Sequence, residues 1–275
     1  MTQLGELVAR GSRSNIYAWG TDCVAKVPLP ETPDGWIRFE AIYTDAVYHC
    51  GVAVPRVFGL ETIDGREASI FERVDGVSMW DALVRQPHEA PAFGRQLGEL
   101  HGALLATRAP VTIPSQTARL RSKIATAARS IDPLAAEAIV LLPDESFPFV
   151  LCHGDFHPKN VMLSSNGPVI VDWFDASSGV PCGDVARTSL LLAGGRSLTK
   201  VAQHLPGASS AMLDDLHDHY IDSIRRVVSF SDEDFFAWRY VEAAARLAEG
   251  MDPQPLLDIL AEESFFALCE KRKRA

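Results

Sequence analysis

The segment HGDFHPKN at 153–160 sets Asp155 and Asn160 five positions apart, and the run VIVDW at 169–173 carries Asp172 near its end. Between them, VMLS (161–164), a turn at Ser165-Asn166-Gly167 and PVIVD (168–172) read as a β-hairpin, because two short apolar runs flank residues that tight turns favour. A hairpin brings its two ends together. Asn160 and Asp172 are therefore expected to face one another and to offer two oxygen ligands. Such a pair suits Mg²⁺, a hard ion that binds through one or two protein groups and completes its shell with substrate phosphates and water.

These loops need a scaffold, and the chain supplies it in two styles. LVAR (7–10), NIYAW (15–19) and CVAKVP (23–28) are apolar runs separated by GSRS and GTD, the pattern of consecutive antiparallel strands. In PDGWIRFEAIYTDAVYHCG, residues Trp36, Ile37, Phe39, Tyr43, Ala46 and Val47 fall near helical spacing, and Gly51 is a natural stop. PRVFGL (55–60) and EASIFERV (67–74) return to strand character, and Gly76 stands where a connection between two parts is needed. From residue 77 onward the spacing becomes helical, with helices expected at 78–85, 91–106, 115–130, 133–142, 183–193, 209–228, 232–248 and 255–270. The expected architecture is α+β: residues 1–75 as a small antiparallel sheet with one helix, and 76–275 as a larger, mainly helical part.

Composition narrows the functions available. With 275 residues, 47% of them hydrophobic and 23% charged, the chain can bury a sizeable core. A formal net charge of -10 argues against a general nucleic-acid binder, which needs a positive surface to displace counterions. Cys23, Cys50, Cys152, Cys182 and Cys269 are odd in number and widely spaced, so neither a disulfide framework nor a zinc knuckle is suggested. With no signal-like N-terminus and no apolar stretch of membrane-spanning length, a cytoplasmic protein is expected.

H-G-D-x4-N followed by an Asp at a strand end resembles the Brenner motif and metal-binding segment of the aminoglycoside phosphotransferase and choline kinase family, relatives of the protein kinases. The resemblance runs over nearly the whole chain and implies a two-lobed, protein kinase-like fold. It implies that Asp155 is the catalytic base, that Asn160 and Asp172 hold Mg²⁺, and that Lys26 on the third strand grips the nucleotide phosphates with Glu40 as its helix partner. In the place of the glycine-rich loop stands Gly11-Ser12-Arg13-Ser14-Asn15, whose backbone and the Ser12 and Ser14 hydroxyls would contact phosphates. The linker Phe71-Glu72-Arg73-Val74 would read the base through backbone groups of Glu72 and Val74, with ATP and GTP both open as donors. His153 is expected to order the catalytic loop, His101 to be packed, and Asp184 to brace the loop, while the roles of His157 and Lys159 stay open.

The implied reaction moves the γ-phosphoryl group to a hydroxyl of a small molecule. A protein kinase fits less well, since Trp173 and Phe174 replace Phe-Gly after Asp172, little chain separates Asp172 from Asp184, and no Ala-Pro-Glu follows. From residue 204 onward 14 Asp/Glu face 8 Lys/Arg, which favours a cationic acceptor such as an aminoglycoside or similar antibiotic. A metabolite alcohol (choline, homoserine or a sugar-like compound) is the alternative, as is a nucleotide-binding pseudokinase scaffold.

Overall fold

The computed structural model describes residues 4–143, 149–192, 209–249, 254 and 256–261, with the backbone alone over 128–133. The chain folds as two compact units: residues 1–79, 110–113 and 159–176 form one, and 80–109, 114–158 and 177–275 the other.

The first unit is built on a five-stranded sheet of β1 (Leu4–Arg10), β2 (Ser14–Trp19), β3 (Cys23–Pro28), β4 (Val57–Ile63) and β5 (Arg66–Glu72), in the order β1-β2-β3-β5-β4, with antiparallel neighbours throughout. Alternation along β3 sends Ala25 into an apolar cluster with Ile63, Ala68 and Ile70, and hence Lys26 to the opposite face. That face carries α1 (Trp36–Tyr48), whose buried stripe Ile37, Glu40, Ala41, Thr44 and Val47 repeats at helical spacing. One member of that apolar stripe is a carboxylate, Glu40, and its neighbour across the sheet face is Lys26.

The same unit holds a three-stranded sheet, β6 (Gly76–Ser78), β8 (Val161–Ser164) and β9 (Gly167–Ile170), in the order β6-β8-β9. Gly76, expected as a bare connection, is thus a paired strand residue opposite Ser164. Glycine is required there by close approach, since an added Cβ would lie 2.3 Å from the Leu163 carbonyl oxygen. The predicted hairpin is present as β8 and β9, and Ile170 N–H donates to Ala53 O at 2.8 Å, anchoring its far strand to the segment after α1.

The second unit is mainly helical. It contains α2 (Met79–Arg85), α3 (Ala90–Leu105), α4 (Gln116–Leu141), α5 (Pro181–Leu192), α6 (Ser210–Ile224) and α7 (Asp232–Arg246), with a short antiparallel pair of β7 (Val150–Cys152) and β10 (Ser177–Gly179). Gly94, Gly98 and Gly102 let α3 press onto α6 and its C-terminal end: added Cβ atoms would come within 2.5 Å of Leu216 O, 2.6 Å of Ser223 Cβ and 2.3 Å of Val227 Cγ2. Where two helices were expected at 115–130 and 133–142, α4 runs unbroken. Pro133 removes one ladder bond, but Ala135 and Ala138 beyond it are buried and the Tyr240 hydroxyl donates to Glu137 Oε2 at 2.8 Å, so tertiary packing outweighs the local break. Most of the helix expected at 255–270 lies outside the described residues.

Candidate active site

In the first unit Lys26 is the focus. Its Nζ donates to Glu40 Oε1 at 2.6 Å and to Asp172 Oδ1 at 3.0 Å, and it sits 5.3 Å from the Trp36 ring centroid. Burial would lower the Lys26 pKa, but the Asp172 and Glu40 carboxylates overcome this and hold it above the ordinary lysine value. Burial pushes the Glu40 carboxyl up to about 7 against the pull of Lys26. Its Oε1 is nevertheless bonded to an ammonium, so we take the pair as ionised at neutral pH, because proton transfer would leave Lys26 as a buried neutral amine beside Asp172. Trp36 also stacks on Phe174, with ring centroids 4.3 Å apart, and the buried Trp173 donates its Nε1–H to Ile170 O at 3.0 Å. The two residues that follow Asp172 are thereby both seated by packing.

Asp172 itself has φ 68, a left-handed conformation that non-glycine residues seldom adopt and that Asp tolerates better than most. Asn160 lies at the mouth of the hairpin, where its backbone carbonyl accepts from Val171 N–H at 2.9 Å. With Val161 opposite Ile170, the register sets Asn160 against Val171, one position short of the facing expected for Asp172. The left-handed turn at Asp172 re-aims the chain at that point. Of the other residues expected to touch the nucleotide, Gly11 closes a tight loop by donating its N–H to Ser14 O at 2.8 Å; Ser12 is exposed and Ser14 buried. Glu72 accepts from Arg56 N–H at 3.1 Å and is exposed, whereas Val74 is half-buried.

The catalytic-loop candidates lie in the second unit, on the turn after β7. Gly154 has φ 76, a second left-handed position at a place expected to do chemistry. Asp184 of α5, fully buried, accepts from His153 N–H at 2.7 Å and Gly154 N–H at 2.8 Å, and also from His101 Nε2 at 3.0 Å. An ionised carboxylate only accepts, so Nε2 carries the His101 proton; its Nδ1 meets the Tyr220 hydroxyl at 2.8 Å. Burial would raise the Asp184 pKa, but His101, His153 and the backbone donor hold it below the ordinary value. His153 Nδ1 accepts from Asp155 N–H at 3.2 Å, so His153 orders the loop from within.

Around the Asp155 carboxylate, His157 Nε2 lies 3.4 Å from Oδ2 and Arg187 NH2 3.7 Å from Oδ1. Burial alone would raise its pKa; His157, Arg187 and His153 together drive it far below the ordinary carboxylate range. Asp155 is thus ionised at any working pH. Sequence reasoning passed over Arg187. Its signal was a cation within DVARTSLLL, on a helix whose residues from Cys182 to Leu190 are all buried.

A five-stranded antiparallel sheet whose third-strand lysine is paired to a glutamate of the helix that follows it, with a larger helical part after it, is the arrangement of the protein kinase-like fold. The sequence matches the model of the "Phosphotransferase enzyme family" over residues 6–197, and the chain belongs to that family as a small-molecule phosphotransferase. Solved structures agree on the fold. The chain is similar to an aminoglycoside-3'-phosphotransferase of type VIII at 19% identity and a TM-score of 0.61, covering 88% of this chain and 92% of that one. A ternary complex of an aminoglycoside phosphotransferase APH(4)-Ia mutant with ADP and hygromycin B matches at 17% identity and TM-score 0.59, covering 96% and 92%. A choline/ethanolamine kinase family protein from Mesorhizobium loti matches at 15% and 0.54, covering 95% and 87%. No curated protein matches the sequence. Among the described residues no helix is long and apolar enough to cross a membrane, and Cys23, Cys50, Cys152 and Cys182 are free thiols.

Proposed function

We propose that this phosphotransferase moves the γ-phosphoryl group of ATP or GTP to a hydroxyl of a hydroxylated cation, an aminoglycoside or a similar basic antibiotic, in the cytoplasm. The observation that carries the reading is Lys26 held between Glu40 and Asp172 at 2.6 and 3.0 Å. An ammonium has three donors, and two carboxylates occupy two of them, so Lys26 retains one for a phosphate oxygen while its position is fixed. Residues 1–75 then serve the nucleotide, with the turn Gly11, Ser12, Ser14 over its phosphates and backbone groups at Glu72 and Val74 toward its base. Residues 76–275 carry the base and the acceptor.

Asn160 and Asp172 fit Mg²⁺. Both offer oxygen, the Asp172 side chain is 39% exposed, and Lys26 engages it through Oδ1 at 3.0 Å. A bound Mg²⁺ would neutralise charge on the transferring phosphoryl group. Asp155 accepts the acceptor's hydroxyl proton as the bond to phosphorus forms. Being ionised throughout, it never waits for deprotonation, although a strongly acidic carboxyl takes the proton only late in the transfer. The cationic acceptor is supported by α6, where Asp215, Asp218 and Asp222 are exposed and Asp214 is half-buried.

An acceptor screen with purified protein, Mg²⁺ and each nucleotide tests the reading. Transfer to an aminoglycoside is expected. Nucleotide binding without any turnover would replace it with a scaffold role, and transfer to choline, homoserine or a sugar alone would remove the antibiotic.

A further inference from the structure

Arg187 does more than fill the interior of α5. Its side chain is 5% exposed, and the two edges of its guanidinium face different parts of the molecule. On one edge Nε donates to Gly154 O at 3.0 Å, while NH2 lies 3.7 Å from Asp155 Oδ1. On the other, NH2 donates to Glu249 Oε2 at 3.2 Å and NH1 forms an ion pair with Glu249 Oε1 at 2.9 Å, so both carboxylate oxygens face the guanidinium. Glu249 ends the 3-10 turn Leu247–Glu249 that follows α7, and it is held in turn by Lys123 Nζ from α4 at 3.1 Å and by Arg246 Nε at 3.5 Å.

We propose that Arg187, clamped by Glu249, is a positioning residue for the proposed base, fixing the Asp155 carboxylate and the Gly154 carbonyl before it. The inference rests on the phosphotransferase reading given above. A purely structural ion cluster would be served as well by apolar side chains of similar volume. This one turns one edge of its central cation to the loop that bears the base, and the Glu249 carboxylate that holds it comes from a distant part of the chain. Because alignment dominates phosphoryl transfer, a small displacement of Asp155 is costly to rate. The titratable groups that act on Asp155 are His153 and His157 from its own loop, Arg187 from α5 and Arg246 from α7. Of these, Arg187 reaches the loop backbone from outside the loop.

Arg187→Gln, Arg187→Lys and Glu249→Gln are compared with wild type by following phosphate transfer from ATP with Mg²⁺ to kanamycin and to water, across pH 4–9, beside thermal melting. Arg187→Gln should lower kcat by about 10- to 100-fold with KM for ATP within about 3-fold, and should raise the pH at which kcat falls on the acid side, because Asp155 loses one of the groups that hold its carboxyl low while His157 and His153 remain. Arg187→Lys should recover part of kcat, and Glu249→Gln should shift both readouts in the same direction by less. If Arg187→Gln does not fold, the other two variants decide. Folded variants with wild-type kcat and pH profile, or with kcat lowered and the profile unmoved, overturn the positioning role alone. A wild type that transfers phosphate to neither acceptor overturns it together with the phosphotransferase reading.

Discussion

Lys26 and Asp172, 146 residues apart, meet at 3.0 Å, so the third strand and the end of the hairpin share one ion pair. The ammonium serves two carboxylates, and removing it exposes both.

Lys26→Met should therefore destabilise the protein by about 3–5 kcal/mol, because Glu40 is left as a buried, uncompensated charge. Adding Glu40→Met should restore most of that loss while leaving nucleotide affinity reduced by about 10-fold or more. Denaturant melts and nucleotide titration separate the two effects; a double variant that binds nucleotide normally would remove Lys26 from the phosphate site.

Asp155→Asn should keep nucleotide affinity near wild type and lower kcat by at least ~10²-fold, since a base acts mainly in the transition state. Steady-state kinetics beside equilibrium nucleotide binding decide it. Undiminished turnover would take the role away from Asp155.

Asp172→Asn and Asn160→Ala should weaken the Mg²⁺ dependence of binding or turnover, each raising the Mg²⁺ concentration for half-maximal activity by about 10-fold or more. Asparagine tolerates the left-handed backbone at 172, so Asp172→Asn should do this with little strain of its own. Activity that persisted in excess chelator would exclude the metal from this pair.

Glu242 gives a pH signature of stability. Burial, first among the influences on it, pushes its carboxyl up to about 7, with Arg187 and Lys123 opposing. The folded pKa thus lies above the unfolded value of about 4.3, so its contribution is full below that pH and is lost as pH rises through about 7. Between pH 6 and 8 the melting temperature of wild type should fall more than that of Glu242→Gln. Parallel melting curves for the two would refute the assignment.

The KM for a cationic acceptor should rise with ionic strength more than that for nucleotide. At 0.1 M salt the Debye length is about 10 Å, which screens carboxylates on an exposed helix face such as that of α6. Asp214→Asn with Asp215→Asn should raise the acceptor KM with kcat nearly unchanged, the mark of lost uniform binding. Glu262 and Glu263, a further acidic pair after residue 204 in the sequence, lie outside the described residues. A neutral or anionic acceptor with a salt-indifferent KM would leave α6 as a solvated face.

The sequence by itself determined the elements with strong local patterns: the three opening strands, the helix after them, the hairpin at 161–170 and the order of Lys26, Glu40, HGDFHPKN and Asp172. Periodicity and turn chemistry are local, so they can be read without the fold. The tertiary structure decided what depends on residues far apart in the chain. It carried α4 through Pro133, where burial outweighs propensity, and paired Gly76 with Ser164, where only a backbone without a side chain fits. It set Asp172 in a left-handed conformation beside Lys26, and it brought Arg187 to Gly154 and Asp155 with Glu249 paired to its other side. No spacing rule links residue 249 to residue 155; a buried charge is satisfied by whichever opposite charge the packed helices bring to it.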